Sequence, residues 1–168
     1  IGIPCNRADD DGNFDIGVYQ ESGPNKGCYD TTEEVLTRLI RSYNMAITTK
    51  GVTETVATLR DICEKKRACT DKDLVAVNNG IYDYGHKILM AFDPELVFLA
   101  KSHIDFVDHA KNPVIHNGDD GTDWDVVSWM DELSDDPEIV KLLWQIIGAV
   151  IRPNVSWNKS AWFYSTLG

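Results

Sequence analysis

The sequence predicts an α+β fold, with a helical N-terminal lobe, a small antiparallel sheet and a helical C-terminal part. Two stretches with helical apolar spacing precede residue 72, short β-type runs with tight turns follow, and a strongly apolar helical stretch comes near the end. The 168 residues, 43% of them hydrophobic, suffice for one core. We expect a turn-rich lead-in and helical lobe at 1–72, and a sheet with C-terminal helices at 73–168.

The first part contains two predicted helices. Thr31 and Glu34 form a capping-box pattern, and apolar residues at helical spacing run from Val35 to Tyr43. A second helical pattern follows and ends in the cationic run 65–67, which suits the negative end of a helix dipole. Two short amphipathic helices of this kind are compatible with a winged-helix-like lobe.

The second part begins with β-type runs. Short apolar segments at Leu74–Val77, Ile81–Tyr84 and Lys87–Phe92 are separated by residues typical of tight turns. Phe98–Val107 is predicted as a further extended segment. These runs predict a small antiparallel sheet.

The closing third is predicted to be helical. Aromatic and acidic residues alternate over Trp124–Leu133 in a moderately amphipathic pattern, and Asp136, Pro137 and Glu138 then form a helix start with an N-cap and a first-turn proline. The following helix is apolar over a broad face as far as Ile151. Such breadth indicates packing on two sides, either in a core or at a subunit contact.

The charge balance limits the partners. There are 16 Lys and Arg against 27 Asp and Glu, a net charge of −11, which disfavours broad contact with DNA or an anionic membrane. No apolar run approaches the ~20 residues of a membrane-spanning helix. One basic patch stands out, and two interpretations of it are equally balanced: contact with a few phosphates, or a helix C-terminal cluster. Its residues, the candidate DNA-binding set, are Arg60, Lys65, Lys66, Arg67 and Lys72.

No catalytic or metal-binding constellation is predicted. Nine carboxylates lie between His116 and Glu138 with no Lys or Arg among them, but their offsets do not match a calcium loop. We expect a solvated acidic loop that leads into helix N-termini. The four cysteines include no C-x-x-C pair and are expected to be reduced thiols, although two disulfides in three pairings would be open to a secreted protein.

Several short motifs follow one another in the second part. A turn of the form N-G-(aliphatic)-x-D is followed by an Ile104-Asp105-Phe106 segment, a proline, the two predicted helices and the aromatic run Trp162–Tyr164. This succession resembles the region just N-terminal to the helicase domain in phage and plasmid primase-helicases, which carry poxvirus-type ATPases of helicase superfamily 3. It covers residues 74–168, and more weakly 31–67. The family-motif residues are Asn79, Gly80, Asp83, Asp105 and Pro113.

The resemblance implies a non-catalytic helicase-associated domain of a phage or prophage replication protein in the bacterial cytoplasm. Such a domain links primase and ATPase parts and aids ring assembly or DNA guidance. The implied partners are the adjoining primase and helicase domains and, in a hexameric ring, further copies of the parent. DNA contact is expected to be weak, and membrane contact is not expected.

ATP and Mg²⁺ belong to the parent protein, and no cofactor is expected in this chain, because it contains no G-K-[ST] phosphate-binding signature. We expect the chain to be an excised piece that begins at Ile1 and stops near Gly168, where the phosphate-binding loop would begin. Two alternatives remain open: a stand-alone DNA-binding module using residues 65–67, and a metal-dependent hydrolase using the acidic loop at 119–125.

Overall fold

The computed structural model describes residues 1–4 and 14–164 of the chain. Cys5 and the end of the chain after Tyr164, where the resemblance places the start of a phosphate-binding loop, lie outside the described residues. Within these described residues, four helices and small antiparallel sheets of two or three strands confirm the α+β class. Within the described ranges, no helix is both long and apolar enough to cross a membrane.

The chain forms two compact units. The first comprises Ile1–Phe106 with Pro153–Val155, and the second comprises Val107–Arg152 with the chain from Ser156 onward. The boundary predicted at residue 72 therefore lies inside the first unit. The physical reason is a shared core, because Cys28 from the N-terminal part packs in one cluster with buried residues of the sheet region. The other buried members of that cluster are Ala76, Ile81 and Phe98.

The first unit begins with two β-ribbons and two helices. Strand β1 (Gly2–Pro4) pairs antiparallel with β2 (Phe14–Ile16), and β3 (Val18–Tyr19) pairs with β4 (Tyr29–Asp30). Helices α1 (Glu33–Tyr43) and α2 (Thr49–Ile62) follow. Their apolar faces meet β2 in a core cluster, as the helical spacing predicts. Its buried residues are Ile16, Leu36, Ile40 and Val52.

The start of α1 differs from the predicted capping box. The N-cap residue is Thr32, one position later than expected, and its side chain caps no helix amide. The Thr32 hydroxyl instead donates to Asp30 Oδ1 at 2.7 Å, and the Thr32 backbone N–H donates to the same oxygen at 2.8 Å. The capping-box prediction is wrong because the preceding aspartate accepts from Thr32 and takes its hydroxyl away from the helix end.

The end of α2 also differs from the prediction. The helix stops at Ile62, before the cationic run 65–67. The Gly2 N–H donates to the Glu64 carbonyl at 2.7 Å and the Lys66 N–H donates to the Gly2 carbonyl at 2.9 Å, in a parallel bridge with β1. The cations therefore lie on an extended segment beside β1, and the helix C-terminal interpretation of the run is wrong.

A three-stranded meander completes the first unit. Strands β5 (Leu74–Val77), β6 (Gly80–Asp83) and β7 (Ile88–Met90) pair antiparallel in that order, as the sequence predicts. Gly80 has a φ of 157°, and a Cβ at this position would lie 2.3 Å from the Met90 carbonyl oxygen, so only glycine fits. The predicted extended segment at 98–107 forms no strand but is held by single backbone hydrogen bonds, including Ser102 N–H to the Ala76 carbonyl at 2.8 Å.

The second unit combines one hairpin with two helices. Strands β8 (Val114–His116) and β9 (Asp123–Asp125) pair antiparallel, and helices α3 (Val126–Glu132) and α4 (Pro137–Val150) follow. The helix predicted to begin at Trp124 begins two residues later, because β8 takes Trp124 as a strand partner. The predicted start of α4 is confirmed, since Asp136 accepts from the Glu138 N–H at 2.9 Å and Pro137 occupies the first turn.

Candidate functional site

Two motifs that are separate in the sequence meet in the first unit. The Asn79 amide Nδ2 donates to the Phe106 carbonyl at 2.8 Å, and the Phe106 N–H donates to Asn79 Oδ1 at 2.9 Å. Beside this pair, the Tyr82 and Phe106 rings stack with centroids 4.1 Å apart and an interplanar angle of 19°. The Asn78 N–H donates to the Ile104 carbonyl at 2.9 Å. We call this arrangement the Asn79 clamp.

The third residue of the turn motif shapes the next turn of the meander. Asp83 Oδ1 accepts from the His86 N–H at 2.9 Å, and Asp83 Oδ2 lies 2.7 Å from His86 Nδ1. The His86 backbone and ring hydrogen bonds hold the pKa of Asp83 below its usual value, and the same carboxylate raises the pKa of His86. The turn that follows carries Lys87 at a φ of 60°. Asp83 therefore stabilises the β6–β7 connection.

The remaining motif residues are placed differently. Asp105 is exposed, although its neighbours on both sides belong to the Asn79 clamp. Pro113 is exposed in the second unit, immediately before β8. The structure thus joins Asn79 to the 104–106 segment and gives Asn79 and Gly80 roles in backbone geometry, while Pro113 belongs to the second unit.

The candidate DNA-binding set is partly neutralised. Lys66 Nζ lies 2.6 Å from Glu95 Oε2 and 3.6 Å from Glu64 Oε2, and the hydrogen bond to Glu95 raises the pKa of Lys66. Lys65 Nζ lies 4.2 Å from the centroid of the Phe14 ring. The other three members are exposed: Arg60, Arg67 and Lys72. Lys65 and Lys66 are therefore engaged with the protein's own groups.

The acidic loop is organised by its own hydrogen bonds. Asp120 Oδ1 accepts from the Thr122 N–H at 2.9 Å and from its hydroxyl at 2.6 Å, which lowers the pKa of Asp120. Asp123 Oδ1 lies 2.6 Å from His116 Nδ1 across the hairpin. Throughout residues 1–4 and 14–164, no three His, Cys, Asp or Glu side chains lie close enough together to hold a metal ion.

Asp125 has a defined structural role. Its carboxylate is the N-cap of α3 and accepts from the Ser128 N–H at 2.9 Å, from the Ser128 hydroxyl at 2.7 Å and from the Asn112 amide. These hydrogen bonds lower the pKa of Asp125 to about 2, with the Ser128 hydroxyl as the largest cause. Together with the Asp136 cap of α4, this confirms that the acidic stretch leads into helix N-termini.

A cavity of about 300 Å³ in the first unit was not predicted from the sequence. Lys101 lines it and is only 8% exposed, and its Nζ donates to the Lys26 carbonyl at 3.1 Å. Cys28 also lines the cavity, and burial raises the pKa of its thiol. The one signal in the sequence was a lysine within the apolar run that begins at Phe98. The described cysteines, namely Cys28, Cys63 and Cys69, carry free thiols.

The second unit leaves most of its large apolar side chains in solvent. Met130 and Val140 are buried, but many others on and around α3 and α4 are exposed by more than a third. Helix α4, which was expected to pack on two sides, therefore leaves much of its apolar surface exposed. We call the following residues the apolar set: Trp129, Leu133, Ile139, Leu142, Trp144 and Ile147.

The geometry of the first unit gives physical roles to most of the motif residues on which the family resemblance rests. Gly80 allows a close backbone approach, and Asn79 and Asp83 make hydrogen bonds that hold turns and segments in place. No protein-family model matches the chain, and no curated protein matches its sequence.

Proposed function

We propose that this chain is a non-catalytic assembly domain of a phage or prophage primase-helicase, which links the primase and ATPase parts and provides contacts between protein surfaces. The observation that carries the proposal is the exposure of the apolar set. Exposed apolar side chains of this size and number are typical of protein contact sites. In this proposal the apolar set of one copy packs on a second copy of the chain.

The charge of the protein supports protein contact over DNA contact. The net charge is −11, and Lys65 and Lys66, two of the five cations in the candidate DNA-binding set, are engaged by Phe14 and by Glu64 and Glu95. A surface of this kind releases few counterions from DNA and gains little electrostatic affinity. Any guidance of DNA by the parent protein then falls to other parts of it.

The Asn79 clamp supports the family assignment within this proposal. Asn79 and Phe106 belong to two motifs and have 26 residues between them in the sequence, and the clamp joins them by two hydrogen bonds, which chance matches would give no reason to expect. The clamp fixes the sheet against the segment that leads toward the second unit. It involves no group that does chemistry, which fits a linking role.

The coding region tests the family assignment. We expect the reading frame on the 3′ side of the codon for Gly168 to encode a G-K-[ST] signature within about ten residues. A stop codon in that interval, or a continued frame without the signature, would contradict the assignment to a primase-helicase.

The assembly role is tested in the full-length protein encoded by that frame. The double variant Ile139→Glu, Leu142→Glu places two charges on the apolar set, and we expect it to reduce oligomer formation and oligomer-dependent ATP hydrolysis together. The double variant Thr53→Glu, Ala57→Glu adds the same charge to exposed positions of α2 and serves as the control. Equal effects of the two variants, or none from the first, would contradict the role.

A further inference from the structure

A buried cation, Lys101, lines the cavity of about 300 Å³ in the first unit and forms no ion pair with another described residue. Lys101 is 8% exposed, and no carboxylate of the described chain lies within 4.0 Å of its Nζ. Its contacts are the Lys26 carbonyl at 3.1 Å and the Phe92 ring, whose centroid is 5.6 Å away. An ammonium group carries three N–H donors, so one carbonyl leaves two of them without an acceptor. Burial of an uncompensated cation is costly, and an anion in the cavity would offset that cost.

The neighbouring thiol does not supply that anion. Cys28 lines the same cavity, and burial raises the pKa of its thiol despite the nearby charge of Lys101. The thiol therefore stays protonated at neutral pH, and its sulfur gives Lys101 no negative charge.

Further polar side chains around the cavity lack a hydrogen-bond partner among the described residues. The Asn25 amide, the Thr31 hydroxyl and the His103 ring line it, and none of them makes a hydrogen bond to another described residue. Together with Lys101, they present several donors to a volume of about 300 Å³. Helix α1 begins just beyond Thr32 without a side-chain cap, so its positive dipole end lies at the rim. This lining suits a small oxyanion.

One acidic residue narrows the choice of anion. Asp30 also lines the cavity, and its Oδ1 accepts from the Thr32 N–H and hydroxyl. A carboxylate repels an anion that has only acceptors, but it accepts a hydrogen bond from an anion that retains a proton. A phosphate group keeps one proton below its second pKa of about 6, whereas sulfate keeps none at that pH.

We propose that this cavity is a phosphate-binding site, in which Lys101 neutralises the oxyanion and Asp30 accepts a hydrogen bond from its remaining P–OH group. The ligand is inorganic phosphate or the phosphate of a monoester. Sulfate has the same shape and no proton to donate, so the site discriminates against it. This site is separate from the apolar set and does not depend on the assembly role.

Isothermal titration calorimetry of the whole chain at a pH of about 6 tests the proposal, with inorganic phosphate and sulfate as titrants. We expect phosphate to bind at least about tenfold more tightly than sulfate, because only phosphate can donate to Asp30. Failure of phosphate to bind in the millimolar range, or equal affinity for sulfate, would overturn the proposal. This comparison uses the unmodified protein and needs no variant to fold.

Variants then assign the residues. Lys101→Met keeps the length and apolar stem of the side chain and is expected to weaken phosphate binding by about tenfold or more. Lys26→Met removes an exposed charge close to the cavity and should change the affinity for phosphate less than about twofold. Lys101 contacts the backbone carbonyl of Lys26, which this substitution keeps. Equal losses in both variants would overturn the role of Lys101. Circular dichroism checks that each variant is folded, and Thr31→Val, expected to weaken phosphate binding, replaces Lys101→Met if that variant unfolds.

The source of the phosphate is distinguished by a second pair of titrants. A short single-stranded oligonucleotide with a 5′-phosphate is compared with the same oligonucleotide ending in a 5′-hydroxyl. Phosphate-dependent binding of the oligonucleotide that is lost in Lys101→Met identifies a nucleic acid end as ligand. Binding of inorganic phosphate alone identifies a free small phosphate. Oligonucleotide binding that is equally tight with a 5′-phosphate and a 5′-hydroxyl, and unchanged in Lys101→Met, would contradict the site.

Discussion

The two compact units of this protein differ in how they bury apolar side chains. Thirteen of the fifteen buried apolar residues that the structure describes lie in the first unit, and eleven of these thirteen form three clusters. Among its described residues the second unit contributes only Met130 and Val140, although it contains the strongly apolar helix α4.

This difference predicts which interactions stabilise each unit. The first unit has a packed interior with three apolar clusters. The second unit holds its hairpin and helices with local caps and hydrogen bonds, and it leaves most of its large apolar side chains exposed. We expect stability to depend on core packing in the first unit and on local hydrogen bonds and assembly in the second.

The largest expected effect on stability comes from comparing one phenylalanine in each unit. Phe98 is 1% exposed in the core cluster with Cys28, Ala76 and Ile81, whereas Phe163 is 73% exposed in the second unit. We expect Phe98→Ala to lower the free energy of unfolding by about 3–5 kcal/mol, and Phe163→Ala to change it by less than about 0.5 kcal/mol. Urea denaturation followed by circular dichroism measures both.

The tryptophans sharpen this experiment. All five tryptophans of the chain lie in the second unit, so their fluorescence reports on that unit separately. We expect Phe98→Ala to shift the circular dichroism transition more than the fluorescence transition. Identical shifts by both probes would contradict the separation into two units.

A smaller effect is expected from a pair of glycines. A Cβ at Gly80 would lie 2.3 Å from the Met90 carbonyl, whereas a Cβ at Gly118, in the turn of the second unit's hairpin, meets nothing within 4 Å. Gly80→Ala should destabilise the first unit by about 1–3 kcal/mol through backbone strain. Gly118→Ala should be nearly neutral, and thermal denaturation of the two variants gives the comparison. A tolerated alanine at Gly80 would contradict the packing described for β6 and β7.

The Asn79 clamp gives a third, smaller effect. Asn79→Ala removes both hydrogen bonds to Phe106 and should cost about 1 kcal/mol, because the residue is exposed and water replaces part of the loss. Hydrogen exchange should accelerate at the Phe106 amide. Asn78→Ala, in the same turn, removes a side chain that makes no hydrogen bond to another described residue and is the matched control. Unchanged exchange at Phe106 in the Asn79 variant would show that the clamp does not hold that segment.

The smallest effect concerns the local caps of the second unit. The pKa of Asp125 is lowered to about 2 in the folded protein from a model-peptide value of 3.8. A lowered folded pKa means that this carboxylate stabilises the fold above about pH 4, and that its contribution is lost as the pH falls through about 2. Carboxyl NMR titration should give the low pKa. Ser128→Ala removes the largest cause and should raise the pKa, and an unchanged value would contradict the cap.

Much of the fold was predictable from local patterns. The short apolar run Leu74–Val77 and the turn residues after it predicted the meander, and Asp136 with Pro137 predicted the start of α4. Local competition caused the errors. Asp30 accepts from Thr32 and removes it as a helix cap, and the backbone of Gly2 pairs with the cationic run that would otherwise continue α2. Gly2 is too distant in sequence from the cationic run for spacing to reveal the pairing. Asp30 and Thr32 are close together, but both are residue types that cap helices, so spacing alone does not show which one acts as a cap.

The candidate sites were less predictable than the fold. The sequence indicated Asn79 and the 104–106 segment as separate motifs, but only the folded chain brings them together. The cavity around Lys101 depends on residues from β4, the following loop and the 99–103 segment, which no local pattern connects. The exposure of the apolar set was also hidden, because an apolar helix has the same spacing whether it is covered or not.

Sedimentation velocity of the chain across a concentration series tests the central claim most directly, namely that the second unit provides an assembly surface. We predict that the chain self-associates, that Ile139→Glu with Leu142→Glu returns it to monomer, and that Thr53→Glu with Ala57→Glu leaves association unchanged. A chain that stays monomeric throughout the series, or that associates equally well with the charged α4 variant, would contradict the account.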